Sequence, residues 1–133
     1  MEEKGEWPYE GVYRTRSDSG PEIPIGYRAG GTSIVCIALA YGGAAEDKLC
    51  AEAIQRGAGA VLKLLEHDAL KAKPTTDYDV RIWGHSWALE FFCRLRELKL
   101  TGKHTKEIES WINKLVITLE SEEIEGGGWN YAT

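Results

Sequence analysis

The chain has 133 residues, of which 43% are hydrophobic, and 16 Lys and Arg against 21 Asp and Glu give a net charge of -5. This size predicts one modest domain over 1–133, and the acidic balance argues against nucleic acid or anionic lipid as a partner. No apolar run approaches the ~18 residues of a membrane helix, and the N-terminus lacks the order of a signal peptide, so we expect a soluble, cytoplasmic chain without a membrane span.

The short motif Gly-x-Trp-x-Tyr occurs near both ends of the chain. It occurs as Gly5, Trp7 and Tyr9 in KGEWPYE and as Gly127, Trp129 and Tyr131 in GGGWNYAT. Proline and glycine are frequent after the first copy, which predicts an opening loop over 4–30. The second copy forms a tail over 126–133.

The first predicted hairpin of helices covers 31–70. Its first half, SIVCIALAY at 33–41, is apolar on all sides, and alone it also fits a buried strand because it is rich in β-branched residues. Gly42 and Gly43 mark a break. From Ile54 onward the apolar residues recur at helical spacing and predict an amphipathic helix.

A second hairpin over 81–125 repeats the first after a polar linker at 71–80. IQRGAGAVLKLLE from Ile54 and IESWINKLVITLE from Ile108 share their apolar register 54 residues apart, and GTSIVCIALA and GHSWALEFFC correspond 53 residues apart. Because the second copy of the apolar segment has helical spacing, we predict that both copies are helices.

The two kinds of helix predict a layered, all-α fold. A helix that is apolar on nearly all sides requires cover on all sides, whereas an amphipathic helix has a solvated face. We therefore place the two apolar helices in an inner layer and the two amphipathic helices outside them. Hairpins stacked in this way form a solenoid or, when curvature closes it, a ring.

This pattern of an apolar helix, an amphipathic helix and a Gly-x-Trp tail resembles the repeat of the terpenoid cyclase and protein prenyltransferase superfamily. The resemblance implies an α/α toroid, of which two α-hairpin repeats would form an incomplete part. In that family a Gln precedes the Gly of the tail by four residues and stacks on the Trp, and Glu123 stands at this place here. The resemblance implies a repeat-structural role for Trp7, Tyr9, Glu123, Trp129 and Tyr131.

The catalytic groups of that superfamily are missing from the matching positions. Its cyclases carry an Asp-x-Asp-Asp acid at the mouth of an inner helix, where this chain has Gly-Gly and Trp-Gly. Asp77 and Asp79 lie upstream in the linker and fit a solvated turn better. His67, His85 and His104 are far apart, and Asp-x-Cys does not occur. We therefore predict no catalytic residue, no metal ligand and no cofactor.

The three cysteines predict reduced thiols rather than a disulfide framework. Cys36, Cys50 and Cys93 are odd in number, share no Cys-x-x-Cys spacing and lie beside apolar residues.

The mouth of the two inner helices is the candidate binding site. Aromatic rings beside Arg and His there suit an isoprenoid chain with a polar or anionic head. The predicted ligand-binding residues are Tyr27, Arg28, Thr32, Tyr78, Arg81, Trp83, His85 and Trp87. In the alternative interpretation the Trp rings pack between hairpins and His85 forms a hydrogen bond with a loop carbonyl.

Two hairpins cannot close a ring, so the inner apolar faces require cover, and we expect self-association or a partner chain. Three hypotheses of function remain. The chain is a non-catalytic module that binds an isoprenoid-like or other apolar small molecule, or a protein, through its inner face. Alternatively, it is part of an active isoprenoid cyclase or transferase whose acid or metal site lies outside this chain, or it is a purely structural helical-repeat scaffold.

Overall fold

A computed structural model of the chain describes residues 4–8, 23–43, 46–71 and 80–129. The helices are α1 Ile25–Tyr41, α2 Lys48–Leu65, the short α3 Asp68–Lys71, α4 Arg81–Glu97 and α5 Thr105–Ser121, with a 3-10 helix at Gly102–His104. The described ranges contain no strand, so the all-α prediction is confirmed and the strand alternative for 33–41 is wrong. Among these helices none combines the length and the apolar character that crossing a membrane requires.

Helix α1 begins earlier than the glycine-rich sequence predicts. The expected loop over 4–30 ends before Ile25, and the glycines at 26, 30 and 31 are helical. Two of them permit close packing: a Cβ on Gly26 would meet the carbonyl of Val80, and a Cβ on Gly30 would meet the ring of Trp83. Glycine costs a helix about 1 kcal/mol relative to alanine. In α1 the absence of a Cβ at these positions allows α4 to approach closely.

The first predicted break is in the expected place. α1 ends at Tyr41, and Gly43 has a φ of 77°, a left-handed conformation that favours glycine. Asp47 then caps α2, because its carboxylate accepts the backbone N–H of Cys50 at 3.0 Å. The same hydrogen bond lowers the pKa of Asp47. The break and the cap together turn the chain back into a hairpin.

The apolar stripes of the two amphipathic helices, α2 and α5, are buried at matching positions. Each apolar residue of α2 at positions 54, 58, 61 and 65 is buried, and so is each partner 54 residues later in α5, namely Ile108, Ile112, Leu115 and Leu119. One pair differs: Leu62 is buried, whereas Val116 is 39% exposed. Helix α2 also contacts α5 and the 3-10 helix, which cover additional surface of the first hairpin.

Helices α1 and α4 pack against each other and run in the same direction. At their N-terminal ends a Cβ on Gly84 would lie 2.9 Å from the Cα of Gly26. At their C-terminal ends the guanidinium of Arg94 lies 5.7 Å from the centre of the Tyr41 ring. α2 packs on α1, and α5 packs on α4. Helices α1 and α4 are therefore adjacent, and each is flanked by its own amphipathic helix.

The three cysteines are free thiols in different surroundings. Cys36 is fully buried between α1 and α2, where a Cβ on Gly57 would meet its Sγ, whereas Cys50 and Cys93 are half-buried. Burial raises the pKa of the Cys36 thiol from 9.0 to about 12. Cys36 is thus a protonated core residue at neutral pH. Cys93 packs at the edge of the core, and Cys50 is not among the core residues.

Candidate functional site

The predicted ligand-binding residues do not share one site, because they project from different sides of α1 and α4. The ring of Trp83 contacts those of Tyr27 and Trp87. Arg28 and Thr32 instead contact the N-terminal segment. Arg81 and His85 are buried on the side of α4 that meets α5. Tyr78 lies outside the described residues.

Three aromatic rings form a continuous cluster across α1 and α4. Tyr27 meets Trp83 edge to face with ring centres 5.3 Å apart, and Trp83 meets Trp87 at 6.5 Å. All three side chains are half-buried. Trp83 lies directly over Gly30, whose missing side chain makes room for the indole. Edge-to-face geometry stabilises such contacts and leaves ring surface available to a further group.

A further aromatic ring lies on this side of α1 and α4, near the C-terminal ends of the two helices. Tyr41 is 57% exposed, and Arg94 lies over its ring. Arg94 is also held by Glu90 at 2.7 Å and by Glu97 at 2.6 Å, and these carboxylates raise its pKa above the ordinary value for arginine. We call the surface formed by Tyr27, Tyr41, Trp83 and Trp87 the aromatic face. One end is apolar, and the other carries a guanidinium between carboxylates.

Arg28 and Thr32 hold the chain's own N-terminal segment. The Arg28 guanidinium donates to both carboxylate oxygens of Glu6, at 2.7 and 2.8 Å. Thr32 Oγ1 accepts the backbone N–H of Trp7 at 2.9 Å and donates to the carbonyl of Arg28 at 2.7 Å. A bidentate, largely buried pair fixes geometry strongly. The structure therefore gives these two side chains a packing role.

The segment held by Arg28 and Thr32 contains the first Gly-x-Trp motif. Gly5 has a φ of 81°, and a Cβ there would lie 2.9 Å from the carbonyl oxygen of Arg56. The ring of Trp7 lies 3.5 Å from the Cβ position of Gly57, so the segment closes over the crossing of α1 and α2. Tyr9, the last residue of the motif, is outside the described residues.

The second Gly-x-Trp motif folds back on α5, the helix that precedes it. The indole N–H of Trp129 donates to the carbonyl of Leu119 at 2.8 Å, near the end of α5, and the side chain is 50% exposed. Glu123 is exposed, with Oε1 3.6 Å from the Cβ position of Gly127. Tyr131 lies outside the described part of the chain.

Arg81 and His85 lie deep on the other side of α4. Arg81 is 5% exposed and faces Glu122 at 3.6 Å, whereas His85 is 3% exposed and lines a cavity against α5. Arg28 and Arg81 are 53 residues apart, and each faces a glutamate from a distant part of the chain. The spacing of the two arginines is visible in the sequence. Nothing in the neighbouring sequence predicts which glutamates they face.

No protein-family model, curated protein sequence or solved structure matches this chain. Within residues 4–8, 23–43, 46–71 and 80–129, no three His, Cys, Asp or Glu side chains are grouped as metal ligands. The described geometry is that of a surface able to bind an apolar group: half-buried aromatic rings on two adjacent helices, with charge at one end.

Proposed function

We propose that the chain is a non-catalytic binding module related to the α/α-toroid repeats of terpenoid cyclases and protein prenyltransferases, and that its aromatic face binds an isoprenoid-like apolar chain. The observation that carries the proposal is the cluster of Tyr27, Trp83 and Trp87, which lies half-open on two parallel apolar helices. Parallel inner helices, each with an outer partner, are the arrangement that the family resemblance implies.

The aromatic face has the chemistry that such a ligand requires. Indole and phenol rings present large apolar surfaces whose burial contributes about 25 cal/mol per Å². These rings are already ordered by contacts with one another and with Gly30, so binding loses little side-chain entropy. Arg94 at the far end is held between Glu90 and Glu97, so this end suits a polar, uncharged head such as a hydroxyl.

Replacing Trp87 by alanine tests this function. We expect isothermal titration with farnesol to show binding to the natural chain and at least about tenfold weaker binding to Trp87→Ala, because one wall of the cluster is removed. Trp129→Ala is the matched control, since Trp129 lies in the segment after α5 and its indole N–H donates to the carbonyl of Leu119, away from the aromatic face. Equal affinity of the two variants, or no heat with a folded natural chain, would contradict the proposal.

A structural scaffold is the second candidate, and the N-terminal contacts favour it. Two predicted ligand-binding residues, Arg28 and Thr32, are occupied by Glu6 and Trp7 of the same chain. If the titration shows no ligand while circular dichroism shows a folded helical protein, the scaffold function is supported instead.

A further inference from the structure

The cavity that His85 lines lies away from the aromatic face, where the end of the first hairpin meets the second. Its volume is about 440 Å³, within the range of small-molecule sites. Leu65, Leu70 and Leu115 are buried in its walls, Trp111 forms a further wall, and the imidazole of His85 reaches it from α4. We call it the junction cavity.

Two lysines and two glutamates line this cavity, and Arg81 beside it adds one further positive charge. The Lys114 ammonium is 4.4 Å from the centre of the Trp111 ring, and Lys71 lies close by, held by Glu66 at 2.7 Å. Glu122, the other carboxylate of the lining, faces Arg81. Both carboxylates thus have cationic neighbours, Lys71 and Lys114 for Glu66 and Arg81 for Glu122. The Lys114 ammonium lies against the ring of Trp111, at one wall of the cavity.

In the first hairpin, the region that corresponds to the junction cavity holds a carboxylate of the chain itself. Arg28, the repeat partner of Arg81, binds the carboxylate of Glu6 beside a smaller pocket of about 310 Å³. Lys63 and Lys4 line that pocket, so a carboxylate is held there among cations next to the apolar Leu64. In the second hairpin Glu122 faces Arg81 in the same way, and the region next to this pair opens into the junction cavity.

From this geometry we infer that the junction cavity binds a small amphipathic carboxylate. Its apolar body lies between Leu65, Leu115 and the indole of Trp111, and its carboxylate pairs with Lys114 at the opening. The apolar walls contribute affinity through burial, and the ammonium selects an acid over the corresponding alcohol. The site is independent of the aromatic face.

Octanoate and 1-octanol are the probes for this site. In a ¹⁵N-labelled full-length chain we expect octanoate to shift the indole resonance of Trp111 saturably, with octanol binding at least about tenfold more weakly. Lys114→Glu is expected to weaken octanoate binding about tenfold or more and to leave octanol binding unchanged, because only the charge at the opening differs.

Lys106→Glu is the matched control, since Lys106 is exposed on the same helix and does not line the cavity. An equal effect of the two charge reversals, or equal binding of acid and alcohol, would overturn the inference. So would shifts at Trp83 and Trp87 in place of Trp111. Shifts at Trp83 and Trp87 would still agree with the proposed function of the aromatic face. A failure of the Trp87→Ala titration would not bear on ligand binding in the junction cavity.

Discussion

Replacing Phe91 by alanine is expected to lower the free energy of unfolding by about 3–5 kcal/mol. Phe91 and its neighbour Phe92 are both fully buried, with ring centres 5.7 Å apart, in the core that joins the helices. Removing the ring forfeits its burial and leaves a cavity that the packed helices cannot fill. Urea unfolding followed by circular dichroism measures the loss, which is a large share of the stability of a typical domain.

Leu49→Ala provides the comparison for Phe91, because Leu49 is 75% exposed near the start of α2. Its effect on the unfolding free energy should be within about 0.5 kcal/mol. A loss below about 1 kcal/mol for Phe91→Ala, at an unchanged dependence on urea, would show that this ring is not in the core described above.

Replacing Gly84 by alanine is expected to destabilise the protein by about 1–3 kcal/mol, although alanine is the better helix former. The new Cβ would lie 2.9 Å from both the Cα and the carbonyl oxygen of Gly26. Backbone atoms cannot rotate away as a side chain does, so α1 and α4 would have to separate. Thermal and urea unfolding measure the cost.

Gly59→Ala in α2 is the matched control for Gly84→Ala, and the two substitutions should have opposite signs. A Cβ at Gly59 would meet only the ring of His104, at 3.3 Å. That side chain can move, so the gain in helix propensity, up to about 1 kcal/mol, is expected to dominate. If both substitutions stabilise the protein, α1 and α4 are not in backbone contact at Gly84.

The periodicity of the sequence is sufficient to predict the helices and most of their buried faces. Ile54 and Val61 in α2, and Ile108 and Leu115 in α5, are buried as their spacing predicts, because a regular helix projects them to one side. The start of α1 was predicted too late. Gly26 and Gly30 resemble a loop in sequence, and only their contacts with α4 explain why they are helical.

The candidate site was predictable where it depends on neighbours along one helix. Trp83 and Trp87 are one turn apart, and their contact follows from that spacing. The roles of Arg28 and Thr32 depend instead on Glu6 and Trp7, which are more than 20 positions away in sequence. Pairing over such a distance is a property of the fold, and neither composition nor periodicity contains it.

The central claim is that α1 and α4 are equivalent helices of two hairpins, packed side by side in the same direction. Nuclear Overhauser effects between protons of the two helices test it most directly. We expect cross-peaks between the Hα protons of Gly26 and Gly84 and between the Tyr41 ring and the Arg94 side chain. Cross-peaks that join Gly26 to Leu95 and Tyr41 to Gly84 would show opposite directions and contradict the claim.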